Sequence, residues 1–197
     1  MLRARTRSAS QTCRRGHHVL LTAHLRLQTP SPDDVPILCA TASDPEAQRW
    51  LGWPARQVVA EPHRDRLLAM EPGEGRGRSR QLDHWLLAVD RASGLAAGGV
   101  ALDLVSLEVG GWLAPGFRAH GLGAELFAAI AEFGHDHLGV PMVRAGTEQA
   151  NMARVAALLA AGFEPAQGPA THRLPDGRII LARWFRHDVE QATRCQR

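Results

Sequence analysis

The spacing of apolar positions along this 197-residue chain changes period several times, and each change marks an element. "VLLTAHLRLQT" (19–29) alternates at period two and predicts a first strand. "SPDDVPILCATASDPEAQRWLGWP" (31–54) is spaced for helix. Ser31, Asp33 and Asp34 supply capping chemistry, and Pro45 and Pro54 act as punctuation, so two short helices or a helical hairpin are expected. Residues 56–83 predict a possible helix and then a mobile loop in the Gly- and Arg-rich "EPGEGRGRSR". "HWLLAVD", "LAAGGVALDL" and "SLEVGGWLAP" are apolar segments separated by turn signals, which predicts three consecutive antiparallel strands.

The period then lengthens. "GLGAELFAAIAEFGHDHLG" (121–139) places Leu126, Ile130 and Phe133 on one helical face and ends at Gly139 and Pro141. "PMVRAGTE" reads as a strand, "NMARVAALLAAGF" (151–163) as a helix closed by Gly162, and "ILARWFRHD" (180–188) as a last strand entered through a hairpin turn at Asp176 and Gly177. The order is strand, helices, three strands, helix, strand, helix, strands. It predicts an α/β (α+β) fold with a mixed, mostly antiparallel sheet flanked by helices.

Composition narrows the picture. At 45% hydrophobic the chain can bury one substantial core. No window approaches a membrane span, and Val19–Leu21 is too brief for a signal-peptide core, so a soluble cytoplasmic protein is expected. Cys13, Cys39 and Cys195 are scattered, which suggests neither a disulfide framework nor a zinc knuckle. The formal charge is +3, but five of the 23 basic residues lie in residues 1–18, which contain no acid. The remaining 18 face 20 acidic residues, so the basicity belongs to a tail and not to a binding face. The expected organisation is a disordered Arg-rich extension (1–18), one domain (19–188) and a C-terminal tail (189–197). Only the first of these offers a route to nucleic acid. There is no Lys and no Tyr.

The stretch with the clearest chemistry is "PGFRAHGLGAEL" (115–126). Glycines ahead of a helix can turn several N–H groups on one anion, and the helix dipole assists, so phosphate is the natural ligand. A dinucleotide fingerprint requires a third glycine where Leu126 stands, and a triphosphate loop requires a Lys that the chain lacks. What remains is Arg-x-x-Gly-x-Gly-Ala, residues 118–124, or a pair of glycines that merely turns the chain into a helix.

That loop, with "DPEAQRWLGWP" (44–54), "LEVGGWL" (107–113) and "NMARVAALLAAGF" (151–163), resembles the GNAT acetyltransferase superfamily, and within it the RimJ/RimL-type group, from about His24 to Asp188. The resemblance implies an N-acetyltransferase that uses acetyl-CoA without a metal. The acceptor would be a primary amine, either a protein N-terminus or a small molecule, attacking the thioester directly; a homodimer is also plausible. It implies that Arg118, Ala119, His120, Gly121, Leu122, Gly123 and Ala124 hold the pyrophosphate, mostly through backbone N–H groups. The strand 107–113 would splay from its neighbour, with Trp112 and Leu113 beside the pantetheine arm and Leu113 N–H as oxyanion donor. Glu108 is the candidate base, and Asn151 either bonds the cofactor's arm or caps its helix.

Two departures stand out. The Tyr that many members use as general acid is absent, and Arg154 occupies the position where a Ser is common. The competing expectations are therefore a non-catalytic acyl-CoA-binding module and a domain tethered to RNA by its tail. His120, His135 and His137 are read as surface residues and not as metal ligands, since 135 and 137 cannot share a helical face. Trp50 and Trp53 could wall an acceptor pocket, but a core role is the first expectation for both.

Overall fold

In the computed structural model the described residues are 9–14, 17–53 and 83–189. Among them the chain forms β1 (Ala9–Arg14), β2 (His17–Leu21), β3 (Leu25–Gln28), α1 (Val35–Thr41), α2 (Pro45–Leu51), β4 (Asp83–Asp90), β5 (Ala96–Asp103) and β6 (Val109–Leu113). These are followed by α3 (Leu122–Asp136), β7 (Met142–Glu148), α4 (Met152–Ala160), β8 (Glu164–Ala166), β9 (Thr171–Arg173) and β10 (Ile179–Asp188). Strands β1 to β6 make one antiparallel sheet in sequence order, and β7, β10 and β8 make a second, with β9 also paired to β10. The fold class, the helix pair before β4 and the three consecutive antiparallel strands agree with the sequence reading.

Three expectations change. The segment 19–29 is two strands, because Thr22 N–H returns to Leu25 O at 2.9 Å and the chain reverses. The turn is fastened from afar by Glu125 of α3. Its Oε1 accepts from the Thr22 hydroxyl, from His24 N–H at 2.7 Å and from Leu25 N–H at 3.0 Å, while Oε2 meets His24 Nδ1 at 2.8 Å. Burial alone would raise the Glu125 pKa, but these bonds outweigh it and hold the carboxylate below its usual range. Second, the boundary drawn at residue 18 falls inside a sheet: β1 pairs with β2 from Ala9 to Arg14, and His18 is buried. An unpaired strand edge takes backbone partners whatever their side chains, so the Arg-rich composition did not reveal this strand. Third, β8 lies between α4 and the hairpin. The possible helix and loop over 56–83 lie outside the described residues, except for Asp83, which opens β4.

Helices α3 and α4 cover one face of the sheets. The expected stripe of Leu126, Ile130 and Phe133 is fully buried there with Leu25, Leu27, Leu102, Val143, Leu158 and Phe185. A smaller cluster of Val35, Leu38, Trp53 and Trp112 seats α1 on the opposite face. Helix α2 is closed at both ends: Asp44 accepts from the N–H groups of Glu46 and Ala47 at 3.1 Å, and Gly52 ends it at φ 67°. No helix among the described residues is long and apolar enough to cross a membrane.

Candidate active site

The two sheets diverge between β6 and β7. At the narrow end Arg144 N–H donates to Leu107 O at 2.7 Å, and Glu108 forms a parallel bridge with Arg144. Beyond that, among the described residues, β6 pairs only with β5, which is the splay the resemblance implied. Ala114 N–H points to Ala97 O at 2.8 Å. Successive N–H groups on an extended strand point to opposite edges, so Leu113 N–H faces the gap. The Trp112 side chain points elsewhere. Its indole donates to Thr41 Oγ1 at 2.9 Å and meets Trp53 edge-on at 5.3 Å, while the bare Gly99 leaves room for its ring. The backbone of β6 is thus anchored from behind.

The loop that closes the wide end is built for backbone display. Ala119 and Gly121 both adopt left-handed conformations, φ 64° and 79°. Gly121 is the N-cap of α3 and offers no side-chain cap, and the first N–H groups bonded beyond it, those of Ala124 and Glu125, both use Gly121 O. Among the described residues no acceptor serves the N–H groups of residues 119–123. Alternating left-handed residues followed by a helix start form the concave anion cradle expected of such a geometry. At Gly123 a Cβ would come within 3.2 Å of Ala157 Cβ, so the glycine lets α3 and α4 approach. His120 is exposed and Leu122 is buried in the core, and neither side chain lines the cleft.

The Arg118 side chain is engaged within the protein. The charge assigned to it as a phosphate ligand is already committed, because Nη2 meets Asp44 at 2.6 Å, Nη1 meets Glu46 at 2.9 Å, and Nε donates to Leu113 O at 2.9 Å. Burial would raise the Asp44 pKa, but the Arg118 bond and the α2 N–H groups hold it below its usual range. Arg118 is therefore the strut that ties the loop to α2 and to the end of β6.

Between loop, β6, α2 and α4 lies a cleft of about 450 Å³. Its α4 wall is made of small residues, Ala153, Ala156, Ala157 and Ala160, with Trp50 and Leu51 of α2 opposite. Trp50 lines the cleft, whereas Trp53 is core. Backbone or side-chain atoms of Trp112, Leu113, Arg118, Ala119, Gly121, Gly123, Ala124 and Asn151 all border it. Asn151 is buried and its Oδ1 accepts from Arg154 N–H at 3.0 Å, so of its two expected roles the cap is the one present.

At the inner end stands Arg154. Its Nη2 donates to Val109 O at 2.9 Å, the guanidinium lies 5.4 Å from the Phe127 ring centre, and Nε is sealed from solvent with no acceptor. Burial lowers its pKa to about 10 against the opposing pull of Glu108. The sequence marked Arg154 as a departure but gave no sign that its head would reach β6. Glu108, adjacent to Val109, is half-buried just before β6 and does not border the cleft. Burial raises its pKa, with His172, Arg144 and Arg154 opposing and Asp103 adding to the rise.

Of the histidines, His120 and His137 are exposed, but His135 is half-buried, its Nδ1 2.6 Å from Val140 O and its Nε2 2.9 Å from His187 Nδ1. The surface reading of His135 is corrected by β10, which supplies a partner that helix periodicity cannot show. Among the described residues no cluster could hold a metal. A second hollow of about 560 Å³, bordered by Glu148, Arg178 and Leu181, lies where β7 ends and β10 begins. The Glu148 Oε2 is buried there without a partner.

The family model described as the acetyltransferase (GNAT) domain matches residues 24–164. No curated protein matches the chain by sequence. Among solved structures, the chain resembles a ribosomal-protein alanine acetyltransferase from Vibrio fischeri at TM-score 0.70 and 12% identity, covering 88% of this chain and 97% of that one. It resembles RimL, a ribosomal α-N-protein acetyltransferase in complex with coenzyme A, at 0.66 and 16%, covering 85% and 96%. It also resembles a spermidine N-acetyltransferase from Vibrio cholerae in complex with coenzyme A and spermine, at 0.67 and 11%, covering 85% and 96%.

Proposed function

Because the chain belongs to the GNAT acetyltransferase family and is an acetyl-CoA-dependent N-acetyltransferase, we propose that its acceptor is a primary amine of the α-amino type, on a peptide N-terminus or a small molecule. The observation that carries the reading is the cleft itself, open between splayed strands, walled by alanines and closed by a loop of unspent N–H groups.

The residues present fit acetyl-CoA. The N–H groups of Ala119 to Gly123 would hold the pyrophosphate, and the edge of β6 would run beside the pantetheine arm. Leu113 N–H, facing the gap, would donate to the carbonyl oxygen as charge develops on it. Bound there, acetyl-CoA supplies the activated acyl group. Arg118 holds the loop in position through Asp44, Glu46 and Leu113 O. Glu108 would take the amine's proton, directly or through water, and its raised pKa makes it a better base than an exposed carboxylate.

The demand on that base separates acceptor classes. An α-amine of pKa about 7.8 is roughly a quarter neutral in the cell, whereas a lysine near 10.4 is about 0.1% neutral, about 3.5 kcal/mol harder to deprotonate. A carboxylate set outside the cleft suits the easier task.

The test is thiol release from acetyl-CoA across N-terminal peptides, N-terminally blocked lysine peptides, polyamines and aminoglycosides. Turnover with α-amino peptides above that with lysine side chains supports the reading. If CoA raises the melting temperature while every amine stays inert, the chain is an acyl-CoA-binding module and the reading fails.

A further inference from the structure

Arg154 is the charged side chain that the acetyl-transfer reading leaves without a task. It projects from the first turn of α4, borders the cleft, and spends one N–H on Val109 O. Its Nε is sealed without an acceptor, and the ion pairs among the described residues do not include it. The charged group that faces it is Glu108, close enough to be felt but not paired, and its other neighbours are the Phe127 ring and Asn151. A half-buried cation whose Nε is sealed without an acceptor is costly unless an anion arrives to meet it.

We propose that Arg154 is a catalytic residue that stabilises the sulfur anion leaving the thioester, an inference that rests on the acetyl-transfer reading above. In the step concerned the amine nitrogen bonds to the acyl carbon and the carbon–sulfur bond breaks with its electron pair passing to sulfur. The amine's surplus proton passes to Glu108 or water. No proton need reach the sulfur before it leaves, because a thiol of pKa about 8.5 is a tolerable anion near neutrality when a fixed cation faces it in an apolar wall. Burial holds the Arg154 pKa at about 10, still far above neutrality, so the guanidinium acts by charge and not by donating a proton. The start of α4 adds its partial positive charge on the same side. This supplies the function for which the chain has neither Tyr nor, at position 154, Ser.

The test is a titration of the thiol of bound CoA by ultraviolet thiolate absorbance, read against the same full-length protein saturated with desulfo-CoA so that protein cysteines cancel. The wild type should lower the bound thiol's pKa by at least about one unit, a tenfold gain in thiolate below the midpoint. Arg154→Gln should return it to the ordinary value, and Arg154→Lys should lie between. A merely structural arginine would change melting temperature and CoA affinity without moving this pKa. An unshifted thiol in the wild-type complex, or an equal shift in Arg154→Gln, overturns the proposal whether or not the variant folds well. If CoA does not bind the wild type at all, the acetyl-transfer reading falls and this inference with it.

Discussion

Acid should destabilise this protein, and His18 should carry a separable share of the loss. His18 packs edge-on against Phe133 at 4.9 Å and His137 at 4.7 Å, with the His84 ring 5.9 Å away, and its Nδ1 is sealed without a partner. Burial first, then the charges of His137, His84 and His17, lower its pKa from 6.5 to about 4. A depressed histidine favours the folded state while it is neutral. The stabilisation is complete above the unfolded pKa and is lost as pH falls from about 6.5 toward about 4, because the unfolded chain binds the proton first. Two and a half units correspond to about 3 kcal/mol in full, of which about 1.4 kcal/mol is lost between pH 7.5 and 5.5. Urea unfolding across that range should therefore show falling stability in the wild type. His18→Leu keeps the backbone bonds to Thr29, removes the titration, and should be flatter by about 1.4 kcal/mol. The His84 depression comes first from burial and then from His137, so it persists in both proteins and cancels. If the two proteins lose stability equally on acidification, the burial argument for His18 is wrong.

Other consequences are as direct. Glu125→Ala removes the acceptor of His24 N–H and of the Thr22 hydroxyl and leaves Leu25 N–H only its bond to Thr22 Oγ1, which should cost about 2 kcal/mol, a melting temperature lower by about 4–8 °C; a calorimetric scan that does not shift would refute the clasp. Gly121→Asp meets no atom within 4 Å and should cost about 1 kcal/mol of backbone strain while abolishing CoA binding in calorimetric titration; wild-type affinity would disprove the anion cradle. Glu108→Gln should slow turnover at unchanged CoA affinity and remove the loss of kcat that the wild type shows as pH falls through the raised carboxylate pKa. Identical pH profiles would exclude Glu108 as base.

What could be read in advance was what is local. The face of α3 follows from its own periodicity, and the loop at 118–124 from glycines that few other uses require. The ion pairs of Arg118 were not legible because its partners, Asp44 and Glu46, lie more than 70 residues away and carry no spacing that announces them. The turn at Thr22–His24 has neither Gly nor Pro; a carboxylate about 100 residues distant holds it. Strand β1 is fixed by backbone pairing alone, and β8 is three residues with Pro165 at its centre, too short for any period to register. Arg154 was visible as an oddity, but its reach to Val109 depends on how closely α4 packs beside β6.

The separation of β6 from β7 has a consequence beyond the cleft. With one bridge at its narrow end, the boundary between the two sheets transmits little cooperativity of its own, and α3 and α4 must carry most of it. Native-state hydrogen exchange should then resolve two units, β1–β6 and β7–β10, with separate opening free energies. A molecule bridging the gap would merge their exchange rates, making occupancy legible in amides that never touch it.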